Sequence, residues 1–178
     1  GSEDTQVVID VEVVEQPTGS LTFGAGYSNE SGLGGIIEYG ERNFLGRGQT
    51  LSFAIKTGRD DQLYELSFYE PMFLRNDLGF GLDLSAKDTN QQNASYDTKN
   101  LEFQPYVVFP LGEESKIRIE YSIAKTDLSN AVNVGSIITN EVNEGEITSS
   151  SIGFVFSHDT RPLKGSYEDG VIYRLGQQ

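Results

Sequence analysis

The sequence predicts an all-β protein: an antiparallel meander of strands, each with one apolar and one polar face, of the kind that curls into a transmembrane β-barrel. Three observations lead there. Apolar residues recur at every second position through most of the chain, which is the period of a strand. The alternate positions hold mainly Gly, Ser and Thr with scattered charges, which suits a wet lumen better than the outside of a soluble sandwich. The composition is also that of strands and turns, with 20 Gly, 10 Phe and 9 Tyr in 178 residues.

Taken in order, Gly1-Ser2 reads as a cloning scar, so the missing leader says nothing about location. From Val7 to Glu15, β-branched residues alternate with acids after Ile9, which reads as a strand. Gln16-Pro17-Thr18-Gly19 stops it, because Pro lacks a ladder donor and Gly permits a turn. Residues 3–18 are therefore expected to be the tail of one domain and residues 19–178 the start of another. Leu21, Phe23, Ala25 and Tyr27 then share a face opposite Thr22, Gly24, Gly26 and Ser28. The same alternation places Leu51, Phe53 and Ile55 on one strand and Tyr64, Leu66 and Phe68 on the next. Leu78, Phe80, Leu82 and Leu84 follow, then Leu101, Phe103, Val107 and Phe109 with Pro105 as the exception. Ile117, Ile119, Tyr121 and Ile123 make another strand, and Ile152, Phe154 and Phe156 one more. Val171, Tyr173 and Leu175 begin a last one, and the stop soon after reads as a truncation inside a larger sheet.

The connections alternate in character. Phe44–Gly48, Pro71–Asn76 and Pro110–Ser115 are compact, whereas Gly58–Gln62, Lys87–Ser95 and Asp127–Glu144 are polar and mostly longer. Tight turns on one side and longer loops on the other are the asymmetry of outer-membrane barrels. Asn130–Asn143 is apolar enough either to form a short helix or to fold over an opening. Aromatics near strand ends (Tyr27, Tyr39, Tyr69, Phe73, Tyr96, Phe109) suit an interfacial girdle. On periodicity alone a soluble β-sandwich stays open.

Charge and composition exclude several functions. A net charge of -14 opposes nucleic-acid binding, which needs a basic face. With no Cys and one His, thiol catalysis, disulfides and multi-histidine metal centres are out. No apolar run reaches the length of a transmembrane helix. Ser157-His158-Asp159 holds the three residue types of a hydrolase triad, but consecutive strand residues face opposite ways and cannot bond in series. Asp88–Asn93 opens like a calcium loop yet lacks Gly at its sixth position and has Lys99 at its twelfth. The glycines of Gly24-Ala25-Gly26 and Gly32-Leu33-Gly34-Gly35 precede no helix, so small residues on a lumen face explain them better than a nucleotide loop. Asn29-Glu30-Ser31 and Asn93-Ala94-Ser95 match a glycosylation acceptor too common to weigh. Paired carboxylates at Asp60-Asp61, Glu113-Glu114 and Glu168-Asp169 read as solvated turn charge. No enzyme, cofactor or metal is expected.

Four ordered stretches point to a family. Glu15-Gln16-Pro17-Thr18-Gly19-Ser20-Leu21-Thr22-Phe23-Gly24-Ala25-Gly26-Tyr27-Ser28 and Gly40-Glu41-Arg42-Asn43-Phe44-Leu45-Gly46-Arg47-Gly48-Gln49 closely resemble the BamA family of outer-membrane protein assembly factors, in the surface-antigen superfamily. Phe68-Tyr69-Glu70-Pro71 and Asp159-Thr160-Arg161 resemble that family's strand-end motifs, and the wording is closest to alphaproteobacterial members. The resemblance covers nearly the whole chain. It implies the N-terminal half of an outer-membrane barrel behind periplasmic POTRA domains, with Val7–Val14 as the last POTRA strand. Leu21–Tyr27 would be the first barrel strand, and about eight strands would follow it.

The family's mechanism implies insertion of nascent outer-membrane proteins at a lateral gate, by pairing to the backbone of Leu21, Thr22, Phe23, Gly24, Ala25, Gly26 and Tyr27. Gln16, Pro17, Thr18 and Gly19 would form the hinge between the POTRA domain and the barrel. The implied partners are nascent outer-membrane proteins, periplasmic lipoprotein subunits and outer-membrane lipid, with no nucleic acid. Two raw sheet edges would also favour self-association or closure into a smaller barrel. A secretion or translocation pore of the same superfamily remains the alternative within this architecture. The sandwich binding module remains the alternative outside it.

Overall fold

The computed structural model describes residues 10–28, 32–74, 77–90, 96–132, 134–161 and 171–177. Gly1-Ser2, Val7–Ile9, both glycosylation-like tripeptides, Gln91–Asn93 of the calcium-like loop and Glu168-Asp169 lie outside them. Nine strands form one antiparallel sheet in chain order. They are β1 (Gly19–Ser28), β2 (Gly32–Phe44), β3 (Gln49–Thr57), β4 (Asp61–Phe73), β5 (Leu78–Thr89), β6 (Asp97–Pro110), β7 (Ser115–Ser129), β8 (Ile147–Asp159) and β9 (Ile172–Gln177). Helix α1 (Ser136–Glu144) sits between β7 and β8.

The registers show why these residues form a sheet. Leu21, Tyr39, Phe53, Leu66, Leu84, Phe103 and Ile123 pair in succession from β1 to β7, a continuous apolar row. A one-residue slip in any strand would turn its apolar set to the other face, so the alternation fixes the register. The apolar face has no cover: Phe23 is 79% exposed and Ile152 72%, and no apolar side chain is buried among the described residues. A sandwich would lay a second sheet there, whereas the described strands form a single sheet.

The polar face is the packed one. Ser122, 5% exposed, donates to Glu102 at 2.7 Å. Lys56 lies between Glu38 and Glu65, at 3.7 and 3.8 Å. The most tightly packed group spans β4 to β7. Tyr69 and Tyr106 stack with centroids 6.2 Å apart, lying over the buried Gly79 and Gly81. Arg118 covers the Tyr106 ring at 3.5 Å and pairs with Glu120 at 2.8 Å and Asp83 at 3.3 Å. Ser67 donates to Asp83 in turn. Small residues are needed here because the aromatic rings occupy the space of absent side chains.

Several expectations need correction. The strand read over Val7–Glu15 is not formed in its described part: residues 10–15 belong to no strand and are exposed, and among the described residues no segment pairs with them to complete a ladder. β2 went unmarked because the adjacent Ile36-Ile37 and the glycines of Gly32–Gly35 break the alternation, although Leu33, Ile37 and Tyr39 keep one face. Pro71 does not open a turn. β4 runs on to Phe73 with a register irregularity after Glu70, and the Glu70 carboxylate accepts from the Met72 N–H at 2.9 Å. Pro105 interrupts the β6–β7 ladder between Phe103 and Tyr106, as a missing N–H requires. β5 extends to Thr89 and β7 to Ser129, into stretches expected to be loop. Of the two readings of Asn130–Asn143, the short helix is the one formed. Tyr69 faces the packed polar side rather than a girdle, because it alternates with Phe68. The two raw edges expected of the sheet are present: among the described strands β1 and β9 do not pair, so the sheet is open at both edges.

Candidate functional site

β1 is the strand that the family resemblance marks as the gate, and its local chemistry explains its form. Pro17 cannot extend a ladder, so pairing starts just past it. Thr18 accepts from the Arg42 N–H at 3.2 Å and Gly19 opens the register opposite Glu41. A side chain at Gly19 would meet the Glu41 carboxylate at 2.7 Å, so Gly there admits the acid. Of the four expected hinge residues, Gln16, Pro17 and Thr18 lie in the exposed lead-in, whereas Gly19 belongs to β1.

The one bond from Arg42 to Thr18 also sets the direction of every amide in β1. Hydrogen-bonded and non-bonded pairs alternate in an antiparallel ladder. Thr18–Arg42 is a bonded pair, so Thr22–Glu38, Gly24–Ile36 and Gly26–Gly34 are bonded pairs too. The N–H and C=O groups of Leu21, Phe23, Ala25 and Tyr27 therefore point away from β2, to the side where none of the described strands sits. The gate expected over Leu21–Tyr27 thus divides by parity: the odd residues present the free edge and Thr22, Gly24 and Gly26 hold the strand to β2. By the same rule Thr160 and Val171 fix β9, leaving Ile172, Arg174 and Gly176 facing its open side.

The far half of the β1–β2 hairpin has little beyond backbone to hold it. Gly24, Ala25 and Gly26 pair with Ile36, Gly35 and Gly34, and a Cβ at Gly26 would meet nothing within 4 Å. That end is soft for want of side chains. Gly26→Ala is expected to stabilise the sheet by about 0.4–1 kcal/mol, chiefly by restricting the unfolded chain, as read from thermal unfolding in micelles. A loss of stability would mean that the glycine serves packing instead.

The other motif residues staple the short-turn rim. Asn43 accepts from the Gly48 N–H at 2.7 Å and Glu41 from the Asn43 N–H at 2.8 Å, shaping the turn where Gly46 and Gly48 take φ near +70°. Gln49 then donates to Glu70 at 2.6 Å, linking the β2–β3 turn to the end of β4. Asp159 receives Arg161 through Nε at 2.8 Å and Nη2 at 2.6 Å, and this pairing holds the guanidinium above its usual pKa. These motifs therefore build turns.

Ser157, His158 and Asp159 do not come together. Instead His158 Nδ1 meets Ser115 Oγ at 2.8 Å across the β7–β8 ladder, with Glu114 at 3.9 Å from Nε2. Sequence reading missed this contact because Ser115 lies 43 residues away and only the register joins them. Among the described residues, no three His, Asp or Glu side chains converge as metal ligands would.

A single antiparallel sheet with one bare apolar face, a packed polar face and a free first edge is the wall of a membrane β-barrel, and comparison with known proteins places it. A model of the Omp85 superfamily domain matches residues 43–167, and the chain belongs to that superfamily. It is 30% identical over 178 aligned residues to the outer membrane protein assembly factor BamA of Nitratidesulfovibrio vulgaris, covering 97% of this chain and 21% of that protein. It is 34% identical over 95 residues to a putative outer membrane protein assembly factor of Treponema pallidum, covering 51% of this chain and 11% of that protein. In fold it is similar to the crystal structure of BamA from Haemophilus ducreyi lacking POTRA domains 1-3, with a TM-score of 0.59 and 24% identity over 86% of this chain and 32% of that one. The chain thus spans about a fifth of the length of the first of these relatives.

Proposed function

We propose that this chain forms the first part of the barrel of an outer-membrane insertase, which folds nascent outer-membrane proteins by pairing their strands to the free edge of β1. The observation that carries the reading is the row of outward-pointing amides at Leu21, Phe23, Ala25 and Tyr27 on a strand whose apolar side chains are bare. In hydrocarbon each unsatisfied backbone group costs several kcal/mol, so an arriving strand is strongly favoured. The apolar face then meets outer-membrane lipid, and residues 10–18 lead back to a periplasmic POTRA domain through the hinge at Gln16–Gly19. Periplasmic lipoprotein subunits would engage that side. No covalent step is involved, and Ser115 and His158 act as a polar contact at a strand end.

The test is reconstitution of the full-length protein in liposomes with an unfolded barrel substrate. Folding of the substrate into the bilayer, read as a heat-sensitive shift in gel mobility, should be much faster than in empty liposomes. Delivery of the substrate into the liposome interior would contradict insertion and favour a translocation pore.

A further inference from the structure

The connections after β2, β4 and β6 lie at one rim of the sheet, the rim from which β1 also starts. Each is entered by a phenylalanine on the apolar face, Phe44, Phe73 and Phe109, and each then shows a leucine to solvent. Leu45 and Leu74 are both 72% exposed and Leu111 is 57% exposed.

Two of these leucines hold a backbone conformation that leucine avoids. Leu45 has a φ of +56° and Leu74 a φ of +57°. In the first turn the Arg47 N–H donates to the Phe44 carbonyl at 3.3 Å, and the central residues, Leu45 and Gly46, both take positive φ. Asn-Gly is the preferred pair for such a turn. A leucine there is strained, and no packing among the described residues offsets the strain, because the side chain stands in solvent. The same choice recurs two strands away at Leu74, which points to a contact made outside the sheet.

The layout of the leucines selects the occupant. Neighbouring turns stand two strands apart, about 10 Å. Exposed polar residues separate the tips: Asn43 and Arg47 flank Leu45, and Glu113 and Glu114 follow Leu111. A docked protein needs a contiguous apolar patch, which single leucines strung along a rim do not make. A lipid leaflet makes no such demand, and each leucine follows directly on the apolar face.

We propose that Leu45, Leu74 and Leu111 dip into the interfacial region of the leaflet on the short-turn side and seat that rim in the bilayer. β1 starts at this rim, so its first outward amide, at Leu21, is then held at lipid depth. The proposal rests on the reading of β1 as the receiving edge and of the apolar face as lipid-facing.

The experiment is spin-label resonance of the full-length protein in liposomes of phosphatidylethanolamine and phosphatidylglycerol. One nitroxide is attached per variant, at Leu45→Cys, Leu74→Cys, Leu111→Cys, Glu113→Cys or Leu84→Cys, the last marking the middle of the apolar face. Collision with oxygen, which concentrates in lipid, is compared with collision with a water-soluble nickel chelate. The oxygen-to-nickel ratio at the three leucines should lie well above that at Glu113→Cys and below that at Leu84→Cys. Leu45→Asn with Leu74→Asn keeps both turns, since Asn tolerates positive φ. In that background a label at Leu21→Cys should shift towards the nickel chelate. Water-like ratios at all three leucines with a lipid-like ratio at Leu84→Cys would overturn the proposal and leave the insertase reading standing. Poor collision with both reagents at the leucines would also overturn it, and would assign them to a protein neighbour. A water-like ratio at Leu84→Cys would instead overturn the lipid-facing reading beneath it.

Discussion

Phe23→Pro should leave the barrel folded and lower substrate insertion about a hundredfold, whereas Gly24→Pro should prevent the first hairpin from forming. The difference follows from the parity of β1. The Phe23 N–H points to the open side, so replacing it removes one donor from the free edge and no bond to β2. Proline is tolerated on edge strands where its missing N–H would have faced outward. An incoming strand, however, meets a ring and an unpaired carbonyl in its path, a penalty of about 3 kcal/mol by analogy with interrupted helical ladders. At 1.36 kcal/mol per factor of ten, that is about a hundredfold in rate. Gly24 is bonded to Ile36, so the same substitution one residue on breaks the β1–β2 ladder itself. Heat-dependent mobility reports folding and liposome insertion reports function. Equal effects of the two substitutions would rule out the assigned amide directions.

Gly81→Ala should destabilise the sheet by up to about 3 kcal/mol, the upper range for overpacking. Gly81 pairs directly with Tyr106, and a Cβ there would fall within the tyrosine ring. The ring has little room to withdraw, because Arg118 covers one side at 3.5 Å and Tyr69 stacks nearby. Removing the ring removes the clash, so in a Tyr106→Ala background the same glycine substitution should cost little. The expected double-mutant coupling is thus close to the full single-site cost. Urea unfolding in micelles measures it, with Gly26→Ala as the control glycine whose Cβ has open space. Additive effects of the two substitutions would mean that Tyr106 does not hold its place over Gly81.

Much of this architecture was legible because a membrane sheet writes itself in period two. Leu78–Leu84 and Ile117–Ile123 alternate without a break, and their strands and faces were read correctly. β2 was obscured where Ile36 and Ile37 stand together, since one apolar residue on the packed face suffices to spoil the pattern. The segment before Pro17 has the composition of a strand but no partner among the described residues, and pairing is a property of two segments. Pro71 misled because a proline at a bulge and a proline in a turn look alike in sequence.

For the site, motif resemblance located β1 but gave all seven residues from Leu21 to Tyr27 one role. Dividing them required a single backbone bond, from Arg42 to Thr18, that no sequence pattern encodes. The contacts of Arg118 with Asp83 and Tyr106 were likewise hidden, because they depend on register across three strands. The glycines at 79 and 81 were the available signal: two small residues on one face of a strand ask for a large neighbour, and Tyr69 and Tyr106 answer.

Edge pairing at β1 is tested most directly by disulfide scanning. The chain has no Cys, so single cysteines at Leu21, Phe23, Ala25 and Tyr27 can be set against single cysteines along the terminal strand of a stalled substrate. The expected result is cross-linking in register, with a two-residue step on β1 matched by a two-residue step on the substrate strand. Cross-links absent from all four positions, or formed without any register, would contradict a free first edge that receives the substrate.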